Sequence, residues 1–278
     1  MQLQSYLDRI GYSGPIEPTL DCLRAVHRQQ AMAVPYEDID VQLGVPLTID
    51  IDAIFDKIVT RRRGGWCYEL NGILGWALAE IGFDVTRVAG GVLREMFGDW
   101  AITNHLVLLV KLDRTYLADL GLGDGIREPI PLEAGAYRQG ALTFALEQVP
   151  DGYWRFRNHG FGFPPSFDFR AEPADEAALA ARCAWLQTAA ESRFVQNLIV
   201  QRMEPDAVLA LTGRVLRRKT ADRQDKTLLN SPAELAETLE REFAIRGVDV
   251  AKLWPKVAAR HEELFGEKPI EQIVVAGM

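Results

Sequence analysis

Three segments of this 278-residue chain carry side chains suited to nucleophilic chemistry. In Arg63-Gly64-Gly65-Trp66-Cys67-Tyr68-Glu69, a cysteine follows a glycine pair and precedes the apolar run from Leu70 to Ile81. That run predicts a helix, and a cysteine in its first turn meets unpaired backbone N–H groups that favour the thiolate. The other two segments are Asn104-His105-Leu106-Val107-Leu108-Leu109-Val110 and Tyr116-Leu117-Ala118-Asp119-Leu120-Gly121. Both read as strands, with Asp113-Arg114 as the hairpin turn between them. A free thiol has a pKa of about 8.5, so little thiolate exists at neutral pH unless a neighbour takes the proton. His105 is the candidate base, and Asp119 could accept from its other ring nitrogen and fix its orientation. Cysteine, histidine and aspartate in that order suggest acyl transfer through a thioester.

Spacing constrains this reading less than chemistry does. A turn at Asp113-Arg114 would place His105 and Asp119 on adjacent strands within side-chain reach. A one-residue slip would send one of them to the opposite face. Each residue also has a structural reading. Cys67 could be a small buried hydrophobe, His105 a core histidine and Asp119 a turn residue beside Gly121. Glu69, two positions after Cys67, reads as structural, paired with an arginine of Arg61-Arg62-Arg63. His27, His159 and His261 have no comparable context, and Cys22 and Cys183 read as packing residues. In the loop Gly121-Leu122-Gly123-Asp124-Gly125, backbone N–H groups could approach an anion such as a cofactor pyrophosphate, or the glycines could simply make a turn. A Walker ending and a strand–glycine–helix fingerprint are both missing from it.

The elements that must position these groups change character along the chain. Helical periodicity covers 19–31 and 51–59 before the Cys67 helix, which stops near Gly82. From Val85 to Leu93, and again at 105–112, 116–120, 144–149 and 153–158, the composition is that of strands. A helix is expected over 173–186, strands over 194–202 and 207–215, a polar stretch from Arg217 to Lys226, and helices over 232–243 and 250–265. No strand–helix unit repeats, which excludes a dinucleotide fold and favours an antiparallel sheet or partly closed barrel. The expected class is α+β with three units: 1–83 helical with the nucleophile, 84–185 β-rich with His and Asp, and 186–278 beyond.

Composition bounds the partners. Thirty-one basic against 39 acidic residues give a formal charge of −8, which argues against a general nucleic-acid or anionic-membrane binder. Three isolated cysteines make neither a disulfide framework nor a metal-ligand pattern. The first residues lack the apolar region of a signal peptide, and no apolar run is long enough to span a bilayer, so a cytoplasmic protein is expected. Monomer and homodimer remain equally open.

Taken together, these motifs resemble the arylamine N-acetyltransferase family over nearly the whole chain. The resemblance rests on the cysteine segment, on His105 to Val110, and on Tyr116 to Gly123 followed by Pro129. Val34-Pro35-Tyr36-Glu37-Asp38 and Ser192-Arg193-Phe194 with Asn197 support it. Two positions depart: the family usually has asparagine where Asp38 stands and commonly phenylalanine where Leu122 stands. The resemblance implies an N-terminal helical bundle, a central antiparallel β-barrel and a C-terminal α/β lid around a core like that of cysteine proteases. It further implies ping-pong chemistry with acetyl-coenzyme A as co-substrate, no permanently bound cofactor, and an arylamine or aryl hydrazine as acceptor. Cys67, His105 and Asp119 would be catalytic, Gly123, Asp124 and Gly125 would meet the coenzyme phosphates, and Trp66 and Leu122 would shape the acceptor pocket. Phe97, Trp100, Phe161 and Phe163 are further candidates for apolar surface. The competing readings are a papain- or transglutaminase-like cysteine hydrolase, which needs an open groove, and a non-enzymatic acyl- or coenzyme-A-binding module.

Overall fold

The computed structural model describes residues 1–274. Its first part is helical: α1 (Leu3–Ile10), α2 (Leu20–Ala33), the short strand β1 (Tyr36–Glu37), α3 (Ile39–Leu43), α4 (Ile51–Phe55) and α5 (Cys67–Ile81). A π-helical turn, Asp56–Thr60, extends α4. Almost every side chain of α5 is buried, as expected of a helix apolar on all sides. It ends at Gly82 in the left-handed conformation, φ 105°.

The second part is a sheet. Its elements are β2 (Asp84–Val92), α6 (Arg94–Phe97), β3 (His105–Lys111), β4 (Thr115–Ala118), β5 (Ile130–Pro131), β6 (Gly135–Gln139), β7 (Leu142–Gln148), β8 (Trp154–Arg157), β9 (Ser166–Phe169) and α7 (Glu176–Thr188). The strands form one antiparallel sheet in the order β5-β4-β3-β2-β9-β8-β7-β6. Its two edges approach each other: the Gln139 side chain accepts from Arg127 N–H (2.7 Å) and donates to Glu128 O (2.8 Å), just before β5. The sheet is near-closed, and Val88, Val107, Leu117, Phe144, Phe156, Phe167 and Phe169 fill its interior.

The third part is α8 (Arg193–Gln196), β10 (Ile199–Met203), β11 (Val208–Thr212), β12 (Val215–Lys219), β13 (Gln224–Leu228), α9 (Pro232–Phe243) and α10 (Val250–Phe265). Its antiparallel sheet runs β1-β10-β11-β12-β13, so the helical part of the chain contributes the edge strand. One expectation is corrected here. Phe194 to Gln196 is helical rather than extended, because Ser192 caps that turn by accepting from Phe194 N–H. Most of the polar stretch from Arg217, for which the sequence suggested no element, lies in the β12–β13 hairpin, where Arg218, Asp222, Arg223 and Asp225 are exposed and Lys219 is buried. The strands β6 and β9 and the helix α1 also had no counterpart in the periodicity.

Buried charges tie the helices together beneath α5. Lys57 is only 2% exposed and pairs with Asp40 (3.1 Å) and Glu69 (3.0 Å). Arg63 pairs with Glu37 (2.8 Å) and Asp40 (3.1 Å). The expected Glu69–arginine pair is thus replaced by a lysine from the π-turn, and Glu69 also accepts from Trp66 N–H (3.1 Å), fixing the start of α5. Lys57→Met is expected to destabilise the fold by about 3–5 kcal/mol, because removing one partner strands buried carboxylates without their counter-charge. Urea unfolding monitored by circular dichroism measures this directly.

Asp38 joins β1 to β10. One oxygen accepts from Ile199 N–H at 2.8 Å, while the other is buried without a hydrogen-bond partner. Burial pushes this carboxyl well above the usual carboxylate range; Glu37 adds to the effect, and the Ile199 N–H and Arg193 only partly oppose it. A carboxyl shifted in this direction approaches the neutral character of an asparagine amide. Since the folded pKa is raised, the fold has full stability from this group below the unfolded pKa and loses it as pH rises towards the folded value. Asp38→Asn is therefore expected to raise the melting temperature increasingly from acid to neutral pH. Each tenfold mismatch in proton affinity between folded and unfolded states is worth about 1.4 kcal/mol. A variant no more stable than the parent at pH 7.5 would mean that Asp38 remains ionised in the fold.

Candidate active site

Cys67 is the first residue of α5, and His105 is the first of β3. Asp119 follows directly after β4. The β3–β4 ladder pairs Leu108 with Ala118 and Lys111 with Thr115. Continued to the end of β3, this register sets His105 opposite Gly121, with Asp119 diagonal to it. The diagonal is close enough: His105 Nε2 lies 3.1 Å from both Asp119 oxygens, with both residues buried. Nδ1 is then the ring nitrogen left to take a proton.

Gly121 shows how tightly the three elements converge. A Cβ built on it would lie 2.7 Å from His105 Cε1, 2.8 Å from Cys67 Cβ and 2.8 Å from Asn71 Nδ2. The imidazole and the cysteine therefore flank one point, occupied by a residue that has no side chain.

Asn71 is a component the sequence reading missed. It sits one turn after Cys67 on the same face of α5, and that i,i+4 spacing was the available signal. Its Nδ2 donates to Asp119 Oδ1 and to Leu106 O (2.6 Å), and its Oδ1 accepts from Leu120 N–H (2.8 Å). Burial alone would raise the Asp119 carboxyl. The His105 charge, with hydrogen bonds from His105, Asn71 and Gly121 N–H, more than offsets this and holds it below the usual carboxylate range.

The thiol does not follow the helix-terminus expectation. Burial pushes Cys67 up, Cys183 and Asp119 add to the rise, and N–H groups of Leu106 and Tyr68 only partly counter it. In the structure Cys67 Sγ donates to Asn104 O at 3.7 Å, as a neutral thiol would. A thiolate at this position requires a base to hold the proton, and the His105 imidazole stands on the adjoining strand.

Cys67 and His105 open onto a cavity of about 260 Å³. Its walls include Leu122, Phe163, Phe97, Trp100, Trp185 and Phe194, with Tyr36, Gln201 and Arg193 among the polar contributors. Leu122, Phe97, Trp100 and Phe163, candidates from the sequence, thus line this cavity. Trp66 is not: it is fully buried, edge-on to Tyr68 and Phe194, and does not line the cavity. Nor does Phe161.

The glycine loop is a correction of another kind. Gly123, Asp124 and Gly125 are all buried. The Asp124 carboxylate is already held by His159 Nε2 (2.7 Å) and Lys219 Nζ (3.0 Å), which with Arg127 outweigh its burial and keep it below the usual range. A buried, committed anion of the same sign gives a pyrophosphate no opening there. His159, set aside in the sequence, proves to be part of this cluster. Among the described residues no group of histidine, cysteine and carboxylate side chains could hold a metal ion. Nor is any helix among them long and apolar enough to cross a membrane.

A cysteine at a helix start, beside a histidine paired with an aspartate and opening with it onto one cavity, defines an acyl-transfer enzyme of the thiol class. Comparison with known proteins names the family. A family model described as N-acetyltransferase matches residues 19–252. The arylamine N-acetyltransferase of Mycolicibacterium smegmatis is 33% identical over 259 residues, covering 90% of this chain and 94% of that protein. The one from Mycobacterium tuberculosis (strain ATCC 25618 / H37Rv) is 31% identical over 277 residues, covering 97% and 98%. The solved structure of the Mycobacterium marinum arylamine N-acetyltransferase in complex with CoA superposes with a TM-score of 0.82 at 32% identity, covering 94% of this chain and 99% of that one. The chain belongs to the arylamine N-acetyltransferase family.

Proposed function

We infer that this protein is an arylamine N-acetyltransferase that carries acetyl from acetyl-coenzyme A on Cys67. In the first half-reaction Cys67 Sγ attacks the acetyl carbonyl, its proton passing to His105. The new sulfur–carbon bond forms, the coenzyme's carbon–sulfur bond breaks, and the departing thiolate takes the proton from the imidazolium. In the second, the nitrogen of an arylamine or aryl hydrazine attacks the acetyl-cysteine and gives its proton to His105. The Cys67 thiolate leaves and is reprotonated. Asp119 holds the imidazole in one orientation and stabilises its charged form, and Asn71 holds Asp119. An aromatic amine suits this cycle because it is a weak base whose conjugate acid loses its proton well below neutral pH, so the free amine is abundant there.

The observation that carries this reading is the shared cavity. It brings the cysteine and histidine together within aromatic walls, and Ser192, Phe194, Ile199 and Gln201 of the third part close one side of it. A half-open cavity of about 260 Å³ with aromatic walls suits a small acceptor better than a polypeptide and so weighs against a peptide hydrolase. We read the near-closed sheet as a barrel and the third part as a lid, with units at 1–83, 84–185 and 186–278 and a catalytic core of cysteine-protease type. Three free cysteines suit a reducing, cytoplasmic setting.

Intact-mass spectrometry after mixing the protein with acetyl-coenzyme A, without acceptor, tests the proposal. One acetyl group should appear on Cys67 with release of one coenzyme A, and adding an arylamine should remove it. An unchanged protein mass with no coenzyme released would overturn the reading.

A further inference from the structure

The Asp124 cluster lies outside the Cys–His–Asp site yet adjoins the acceptor cavity. Asp124 stands two residues after Leu122 and five after Asp119, on the same buried loop. Its Oδ1 meets His159 at 2.7 Å, its Oδ2 meets Lys219 at 3.0 Å and accepts from Phe163 N–H at 3.3 Å, and its backbone oxygen accepts from Asn158 Nδ2 at 2.7 Å. Asn158 Nδ2 donates again to Pro164 O (2.9 Å), and Lys219 Nζ donates again to Phe161 O (3.0 Å). One carboxylate thus gathers three pieces of chain: the loop carrying Asp119 and Leu122, the 158–165 loop carrying Phe163 and Pro164, and strand β12 of the third part.

Two of those pieces are cavity wall, since Leu122, Phe163 and Pro164 all face the space shared by Cys67 and His105. Backbone bonds close the 158–165 loop at its base (Asn158 N–H to Pro165 O, 2.8 Å) and within it (Gly162 N–H to His159 O, 2.8 Å), and side-chain bonds such as these hold the rest against the cavity. His159 Nδ1 is the one buried atom of these side chains without a partner, and a buried polar network of this kind loosens when one of its bonded members is removed.

Building on the acetyltransferase reading, we propose that Asp124 is a positioning residue for acceptor selectivity: with Lys219 and His159 it fixes the Leu122–Phe163 wall that an aromatic acceptor must pack against. Asp124 does not touch the reacting atoms. Its removal acts through the wall, and so acts on acceptors large enough to use that wall.

The test compares 2-aminonaphthalene, which spans the wall, with hydrazine, which does not, in parent, Asp124→Asn, Lys219→Met and Lys219→Arg enzymes. We expect Asp124→Asn and Lys219→Met to lower the 2-aminonaphthalene-to-hydrazine ratio of kcat/KM at least tenfold, through a raised KM for the bulky amine. Lys219→Arg should retain most of the parent ratio. Equal losses for both acceptors, or no change in the ratio, would overturn the proposal, the first outcome assigning the cluster to general stability. If Asp124→Asn fails to fold in a thermal melt, the two Lys219 variants decide alone. Acetylation of the parent enzyme, read by intact mass in the same series, separates the two claims. A parent that takes no acetyl defeats the function itself, whereas an active parent with an unmoved ratio defeats only this role for Asp124.

Discussion

Cys67→Ser is expected to abolish acetyl transfer, lowering kcat/KM by roughly 10⁴-fold or more, while leaving the fold intact. The burial that raises the cysteine thiol acts on any anion placed there, and a serine hydroxyl starts from a far weaker acidity. His105 can hold a thiol proton in this site, but the same base cannot bring an alcohol to comparable reactivity in surroundings arranged for sulfur. The exchange of sulfur for oxygen removes little volume, and Asn104 O stands ready to accept from a hydroxyl. Stability should therefore change by about 1 kcal/mol or less. Steady-state turnover, intact mass and a thermal melt give the three readings. Persistent acetylation mapped away from position 67 would move the nucleophile to another side chain, and the remaining cysteines, Cys22 and Cys183, are both buried.

Gly121→Ala is expected to cost activity by roughly 10²-fold or more, since displacements of about 1 Å at reacting groups have effects of that size. The added methyl would sit 2.7 Å from the His105 imidazole and 2.8 Å from both Cys67 Cβ and Asn71 Nδ2, closer than side-chain carbons approach such atoms. Three elements meet there, and the imidazole, held by Asp119 through Nε2, has the least freedom to yield without losing its partner. Overpacking of this kind also destabilises, by about 1–3 kcal/mol. The two effects separate in measurement: denaturant unfolding reports the packing cost, and the rate of coenzyme A release without acceptor reports the misplaced imidazole. Parent-like rates would show that loop 119–125 yields instead, which the bonds to Asp124 oppose.

The two variants probe different aspects of the site. Position 67 concerns the chemical identity of one atom, and position 121 the space in which that atom meets its base. Lys57 and Asp38 lie farther away and report on stability, through a buried cation with two carboxylates and a buried acid with an unbonded oxygen.

Local signals in the chain were enough for the helix that begins at Cys67, the hairpin that carries His105 and Asp119, and the reactive types at each place. Helical and extended periodicity are properties of neighbouring residues, and so are a glycine pair before a helix and a turn between two apolar runs. Resemblance in those same segments carried the family. Strands such as β6 and β13 escaped because their exposed faces carry polar residues and their pairing is settled by partners elsewhere in the chain. What the tertiary structure alone decided was which distant groups touch: Lys57 rather than an arginine on Glu69, Asn71 on Asp119, His159 and Lys219 on Asp124, and Trp66 turned away from the cavity. Those contacts join residues between 12 and 95 positions apart. They follow from how helix, sheet and third part pack, and that packing minimises buried unpaired charge and empty space over the whole molecule, which no local window of sequence contains.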